Sequence, residues 1–180
     1  MAAGAARKTA RLLLRAPLEA DVDPLFAIQG DPVAMRFTYC AADRGVTLAF
    51  LAKYEARRTQ DGFAPWTILL GEQVIGWGGL CRDPDAPQWG VEVIYFLDPA
   101  FHGRGFATEL ARAALELAFE ELGLPEVGAY LRPQNLASTR VLAKAGFSRI
   151  RHVAELARDE FRIDARQWKA GTDCRSAEPA

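Results

Sequence analysis

The feature that most constrains the fold is a change of hydrophobic period in the second half of the chain. Residues 90–97, GVEVIYFL, form the most strongly β-favouring run, and after a turn with two glycines the amphipathic stretch 106–122 begins. In that stretch polar residues recur every three or four positions on one side, and small and apolar residues occupy the other. The sequence therefore predicts a strand, a glycine turn and a long helix in direct succession.

Elements on both sides of this unit predict a single α+β domain with a mixed, mostly antiparallel sheet. Before it we expect strands over residues 12–16, Trp66–Leu70 and 74–80, and helices ending at Ile28 and covering 47–58. After it we expect strands over 127–131 and 161–168, and a helix over Leu136–Ala145. Residues 1–170 should form this one domain, and the small, polar residues 171–180 a flexible C-terminal tail.

Composition excludes several classes of function. The 180 residues carry 22 Lys and Arg against 23 Asp and Glu, a formal net charge of −1. A polyanion binder needs clustered positive charge, so we expect no binding to nucleic acid or to a membrane. Cys40, Cys81 and Cys174 have no metal-ligand spacing, which predicts that no metal is bound. Isolated free cysteines are typical of the reducing cytoplasm, and we expect the protein there.

The glycine turn predicts an anion site. Gly103 and Gly105 let successive backbone N–H groups point in one direction, and these groups meet the positive end of the following helix dipole. That arrangement suits a pyrophosphate. The alternative is plain chain reversal, for which glycines are also used. The segment fits neither GxxxxGK[ST] nor GxGxxG, so a nucleotide-hydrolysing or Rossmann site is excluded.

Two segments resemble a known family. Residues 102–107, HGRGFA, are similar to motif A (Q/R-x-x-G-x-G/A) of the GNAT superfamily of acetyl-CoA-dependent N-acetyltransferases, and NLASTRVLAKAGF, from Asn135 to Phe147, resembles its later helix. VEVIYFLDPAFHGRGFATE and the start of the chain more narrowly resemble the RimJ/RimL-like branch, which acetylates ribosomal proteins. The matches run in order from Arg11 to Trp168. The resemblance implies a GNAT-like sheet, splayed between its fourth and fifth predicted strands, 91–97 and 127–131.

The resemblance also implies acetyl-CoA, or coenzyme A, as co-substrate. Its pantetheine arm would thread the splay, where backbone groups of Phe96 and Leu97 would bind its amides, and Asn135 would reach it from the other side. The pyrophosphate would lie on the turn, whose residues are His102, Gly103, Arg104, Gly105, Phe106, Ala107 and Thr108. His102 departs from the motif, which has Gln or Arg at this position, and its side chain can face solvent or approach a phosphate.

The implied chemistry is direct aminolysis of the thioester by a primary amine, either a protein N-terminus or a small molecule. Glu92 is the candidate base, because strand alternation places it among apolar neighbours that raise a carboxyl pKa. Its alternative is a carboxylate that faces water or pairs with an arginine. Ser138 is the candidate acid for the leaving thiolate, with a backbone hydrogen bond as its alternative. Many superfamily members have a tyrosine for that role where this chain has Leu142.

Other interpretations stay open at this point. A coenzyme A-binding module that has lost catalysis, acting as a sensor or interaction partner, has the same motifs, and an unrelated α+β binding protein fits the element order. The meander aromatics Trp66, Trp77, Trp89 and Tyr95 either line an acceptor cleft or fill the core. The resemblance leaves a homodimer open.

Overall fold

A computed structural model describes residues 6–176, with side chains as far as Thr172, and centres on one eight-stranded sheet. The strands are β1 Arg7–Lys8, β2 Leu13–Arg15, β3 Trp66–Leu70, β4 Gln73–Arg82, β5 Val91–Leu97, β6 Glu126–Leu131, β7 Ser148–Val153 and β8 Arg158–Asp164. Their order is β1-β2-β3-β4-β5-β6-β8-β7, and all neighbours are antiparallel except β5 and β6. The predicted α+β class with a mixed, mostly antiparallel sheet is confirmed.

Helices cover both faces of the sheet. They are α1 Val22–Gln29, α2 Arg44–Glu55, α3 Arg58–Asp61, α4 Phe106–Glu116, α5 Leu136–Ala145 and α6 Ala165–Ser176. On one face, α1 and α2 bury a small core with Trp77 and Phe96. On the other, α4 and α5 bury the larger core with Val93 and Leu97. Because side chains alternate along a strand, β5 contributes to both cores.

The long helix follows its sequence pattern. Gly105, at φ +84°, precedes α4, and Leu110 and Ala114 on the predicted apolar face are fully buried. The helix continues through a π-helical turn, Leu117–Glu121, and Gly123 follows at φ +61°. Only a residue without Cβ adopts such a conformation at low cost, which explains both glycines.

The sheet opens between β5 and β6. These parallel strands share a single register pair, Glu92 with Gly128, whereas β4 and β5 share seven. Beyond that pair the strands diverge toward the glycine turn and the start of α5. The splay implied by the resemblance is therefore present.

The C-terminal third differs from the prediction in three places. The last strand is β8, which ends at Asp164 rather than at residue 168, because the Asp164 carboxylate accepts from the backbone N–H groups of Arg166 and Gln167 and starts α6. Trp168 is therefore a buried helical residue. Residues 171–176 are helical, which corrects that part of the tail prediction, and 177–180 lie outside the described residues.

Strand β7 was not predicted at all. Its sequence, SRIRHV, is largely exposed and polar, so it lacks the apolar signal of a strand. It is held at the sheet edge by ion pairs to β8, in which Arg149 contacts Asp159 at 2.8 Å and Arg151 contacts Glu160 at 2.7 Å. Cross-strand charge pairing of this kind becomes visible only when the partner strand is known.

Candidate active site

A cleft of about 620 Å³ opens at the splay and is lined from both faces of the sheet. The α4/α5 face contributes the glycine turn and the first turns of both helices. The α1/α2 face contributes aromatic and acidic side chains and the loop 33–39. One cavity thus joins an anion-binding end to an aromatic end across the gap between β5 and β6.

The turn has the geometry of an anion site. Gly103 lies at φ +74°, and an added Cβ there would meet nothing within 4 Å, so the backbone is open to a ligand. Gly105 precedes α4, whose first-turn residues Phe106, Ala107 and Thr108 also line the cleft. Their N–H groups have no partner within the helix, and the helix dipole favours negative charge beside them.

The turn is braced by the N-terminal hairpin. Arg11 donates to the Arg104 carbonyl oxygen at 2.9 Å and to the Glu109 carboxylate at 2.7 Å, and its guanidinium lies 4.5 Å from the centre of the Phe106 ring. Thr9 also donates to Glu109, and these bonds lower the pKa of that carboxyl although burial opposes them. No sequence motif pointed to Arg11.

Two side chains of the turn are used within the protein. His102 Nε2 lies 2.9 Å from the Leu97 carbonyl oxygen, so the ring donates there and links the turn to the end of β5. The Arg104 guanidinium lies over the rings of Phe101 and Phe106, and Arg104 is not among the residues that line the cleft. Both residues therefore stabilise the turn in this structure.

The two β5 residues expected to bind pantetheine, Phe96 and Leu97, direct their backbone groups to opposite sides of the strand. The Asp98 N–H donates to the Ile75 carbonyl on β4 at 2.9 Å, and backbone groups alternate in direction along a strand. Phe96 therefore directs its backbone toward β4, where it is paired with Trp77, and its expected contact with pantetheine stays a prediction. Leu97 and Tyr95 direct theirs toward the gap, where a pantetheine amide can pair with them.

Helix α5 forms the opposite wall. The Asn135 side-chain oxygen accepts from the Ser138 backbone N–H at 3.1 Å and caps the helix, which leaves the amide nitrogen to donate toward the cleft. The Ser138 side chain lines the cleft and acts on Tyr95, whose pKa it lowers against the stronger effect of burial. Arg140 and Lys144, exposed on the same helix, add positive charge along this wall.

Glu92 lies on the α1/α2 face, at the single position where β5 pairs with β6. Its side chain is 8% exposed. Burial raises its pKa to about 7, and Asp83 raises it further in the same direction, while Arg158 and Arg162 oppose them. The predicted upward shift is confirmed. A carboxyl with this pKa is poised to accept a proton near neutrality.

Aromatic rings surround the approach to Glu92. Phe50 and Tyr54 of α2 lie 4.9 and 5.1 Å from the Trp77 ring, and Phe96 stacks on Trp77 at 5.7 Å. Burial, followed by Cys81 and the nearby carboxylates of Asp83, Glu92 and Asp85, raises the Tyr54 pKa far above its ordinary value. This end of the cleft thus combines aromatic faces with negative potential.

Metal-binding clusters and membrane-spanning helices are absent from the part of the chain that the structure describes. Among the described residues, no group of three or more His, Cys, Asp or Glu side chains is placed to hold a metal ion. None of the helices within residues 6–176 has the length and apolarity to cross a membrane. Cys81 is buried beside Glu92 in the sheet register, and burial raises its pKa, so it is a packing residue rather than a thiolate nucleophile.

Comparisons with known proteins agree with this geometry. Residues 11–148 match the family model described as Acetyltransferase (GNAT) domain. The chain is 44% identical over 70 residues to the "Probable N-acetyltransferase YjcK" of Bacillus subtilis strain 168, an alignment that covers 39% of this chain and 36% of that relative. The chain therefore spans about a third of the length of that curated relative.

Solved structures share the fold. A crystal structure of an acetyltransferase from Agrobacterium tumefaciens strain C58 has 27% sequence identity and a TM-score of 0.77 over 88% of this chain and 94% of its own. A spermidine N-acetyltransferase from Vibrio cholerae, in complex with coenzyme A and spermine, has 17% identity and a TM-score of 0.73 over 89% of this chain and 99% of its own.

The chain belongs to the GNAT acetyltransferase domain family. Members of this family are enzymes that take their acetyl group from acetyl-CoA, so the predicted family, enzyme class and co-substrate are confirmed at that level. The glycine turn, the splay and the capped helix α5 are the parts of this structure that fit the co-substrate.

Proposed function

We propose that this protein transfers the acetyl group of acetyl-CoA to the primary amine of a small cationic molecule. The observation that carries the proposal is the position of Glu92, a buried carboxyl with a pKa of about 7 at the point where the donor and acceptor halves of the cleft meet. The pyrophosphate lies on the turn from His102 to Thr108, pantetheine on Leu97 and Asn135, and the thioester at the gap.

The protein's own groups account for the proton transfers. A primary amine is protonated at neutral pH and must release one proton to solvent before it can attack. As its bond to the carbonyl carbon forms, the nitrogen gives its second proton to Glu92. A backbone N–H of β5 that faces the gap, at Leu97, stabilises the oxyanion. Ser138, on the other face, lies on the side from which the thiol leaves. Attack and departure therefore occur on opposite faces of the sheet.

The acceptor end supports a cationic substrate. Aromatic faces attract ammonium groups, and the carboxylates that act on Tyr54 add to that attraction. The negative potential is confined to the surroundings of Tyr54. Elsewhere positive charge opposes it, because Arg158 also lines the cleft and Lys53 is paired with Asp85. The spermidine acetyltransferase that shares the fold is named for a cationic amine, which is consistent with this class.

The test is an acceptor screen with purified protein. Thiol release from acetyl-CoA is measured with polyamines, amino sugars, simple alkylamines and peptides with free N-termini. We expect kcat/KM for the preferred small cationic amine to exceed that for any peptide at least tenfold. Preference for a peptide would redirect the proposal to protein N-termini. Tight coenzyme A binding without turnover of any acceptor would favour the catalytically silent module instead.

Finer assignments extend this proposal. We retain a RimJ/RimL-like relationship, a cytoplasmic location and a homodimer as proposals, together with the absence of nucleic-acid binding. Residues 1–170 form the proposed single domain. Sedimentation of the full chain with and without coenzyme A tests the dimer directly, and a single monomeric boundary at all concentrations would remove it.

A further inference from the structure

Tyr95 carries a buried phenol that takes no part in the proton transfer to Glu92 or in stabilisation of the oxyanion. Its hydroxyl is fully covered and, among the described residues, has no hydrogen-bond partner. A buried polar group without a partner costs free energy, so its retention needs an explanation. The residue also lines the cleft. A ligand in the cleft can therefore supply the missing partner.

The Tyr95 side chain lies on the opposite face of the sheet from the side chain of Glu92. Alternation directs Glu92 and Phe96 toward the α1/α2 face, and it directs Val93, Tyr95 and Leu97 toward α4 and α5. The amine reaches the thioester from the face that carries Glu92. The thiol departs on the face that carries the glycine turn and α5, where Tyr95 lies.

The surroundings of Tyr95 include one other hydroxyl. Ser138, in the first turn of α5, lies close enough to the phenol to lower its pKa. One turn further along α5, Leu142 is fully buried and offers no proton. A serine hydroxyl is a weaker acid than a phenol, so Tyr95 is the stronger proton donor of the pair.

We propose that Tyr95 is the catalytic acid that protonates the thiolate of coenzyme A, with Ser138 positioning the phenol and the sulfur. The inference rests on the proposed acetyl transfer. The amine nitrogen forms its bond to the carbonyl carbon and gives a proton to Glu92. The carbon–sulfur bond then breaks, its electron pair goes to sulfur, and sulfur takes the phenolic proton. The phenolate regains a proton from solvent, and Glu92 releases one there.

Burial keeps the phenol protonated but also makes it a weaker acid. It raises the pKa of Tyr95 to about 12, so the proton has to move to sulfur together with cleavage of the carbon–sulfur bond rather than ahead of it. The phenol is also held in place by its packing against the core beneath α4. A fixed donor loses little entropy when the sulfur arrives.

The test separates chemistry from structure. Tyr95→Phe keeps the ring and its packing, and we expect kcat to fall at least tenfold while the Kd of coenzyme A changes by less than twofold and Tm by no more than a few degrees. Replacement of Tyr95 by 3-fluorotyrosine restores a phenolic proton and should return kcat to within threefold of the wild type. The rate of acetyl-CoA hydrolysis without an acceptor should likewise be lowest for Tyr95→Phe and be restored by 3-fluorotyrosine.

The control is Tyr130→Phe, because the Tyr130 phenol is already engaged by Arg162 at 2.9 Å and by Glu160 at 3.3 Å. The kcat ratio between 3-fluorotyrosine and phenylalanine should be large at position 95 and near one at 130. An unchanged kcat in Tyr95→Phe, or a loss explained by coenzyme A affinity or by unfolding, would overturn the proposal. Wild type that releases no thiol with any amine or with water would instead remove the proposed function itself.

Discussion

The two faces of the sheet at the splay are built in different ways. On the α4/α5 face the cofactor end consists mainly of backbone, with a left-handed glycine turn, the first turn of α4 and the capped start of α5. On the α1/α2 face the acceptor end consists of side chains from α2, β4 and β5, led by Glu92 and the rings around Trp77. A backbone site is tied to one conformation and one ligand, whereas a side-chain site can change its substrate by single substitutions.

The largest effect should come from the acceptor face. We expect Glu92→Gln to lower kcat about 100-fold near neutral pH, because general bases contribute on the order of 10²–10⁴ in rate. The affinity for coenzyme A, measured by calorimetry, should stay within twofold. Glu72→Gln, in the exposed turn between β3 and β4, is the matched control. Equal rates in wild type and Glu92→Gln would assign the carboxyl a structural role.

A substitution on the α4/α5 face should weaken the binding of coenzyme A, which Glu92→Gln leaves nearly unchanged. Gly105→Asp places a side chain and a negative charge where φ is +84°, and we expect coenzyme A to bind at least tenfold more weakly. Gly71→Asp is the control, since it adds the same charge at φ +61° in an exposed turn with nothing within 4 Å. If Gly71→Asp weakens coenzyme A binding as much as Gly105→Asp does, the loss comes from strain of the left-handed backbone and not from the anion site.

The pH dependence should belong to the acceptor face alone. With a Glu92 pKa of about 7, the ionised fraction rises roughly tenfold between pH 6 and 8, and kcat at saturating substrates should rise with it. The folded pKa lies above the ordinary value of 4.5, so this group also costs stability as the pH rises from about 4.5 to 7. Urea unfolding of wild type and Glu92→Gln at pH 5 and 8 measures that difference. Parallel behaviour of the two proteins would contradict the assignment.

The smallest effect should come from exposed charge on the cofactor wall. Replacement of both Arg140 and Lys144 by Gln should weaken coenzyme A binding about two- to fivefold at low salt and less at high salt, because exposed charges are screened. Arg166 and Lys169, exposed on α6, provide the control pair. A loss that does not depend on salt would indicate direct hydrogen bonds rather than long-range attraction.

The contrast between the faces explains what the sequence could predict. The cofactor end is local, so one segment with Gly103 and Gly105 predicts its turn, its helix and its ligand together. Glu92 was predicted because strand alternation places it among apolar neighbours. The aromatic wall was left undecided, since Phe50 and Trp77 meet only through the packing of α2 on β4. Tyr95 was predicted only as a cleft or core aromatic and Arg11 was given no role, because each acts through contacts with residues distant in the chain.

The single register pair between β5 and β6 has a consequence for hydrogen exchange. The amides of Tyr95 and Leu97 face a gap in which the neighbouring strand has already turned away. In the free protein these two protons should exchange with solvent faster than those of Val91 and Val93, which lie next to the paired position. A pantetheine arm in the gap takes the place of the missing strand, so bound coenzyme A should slow both amides. Exchange at two backbone positions would thereby report occupancy of the site, independently of which amine the enzyme accepts.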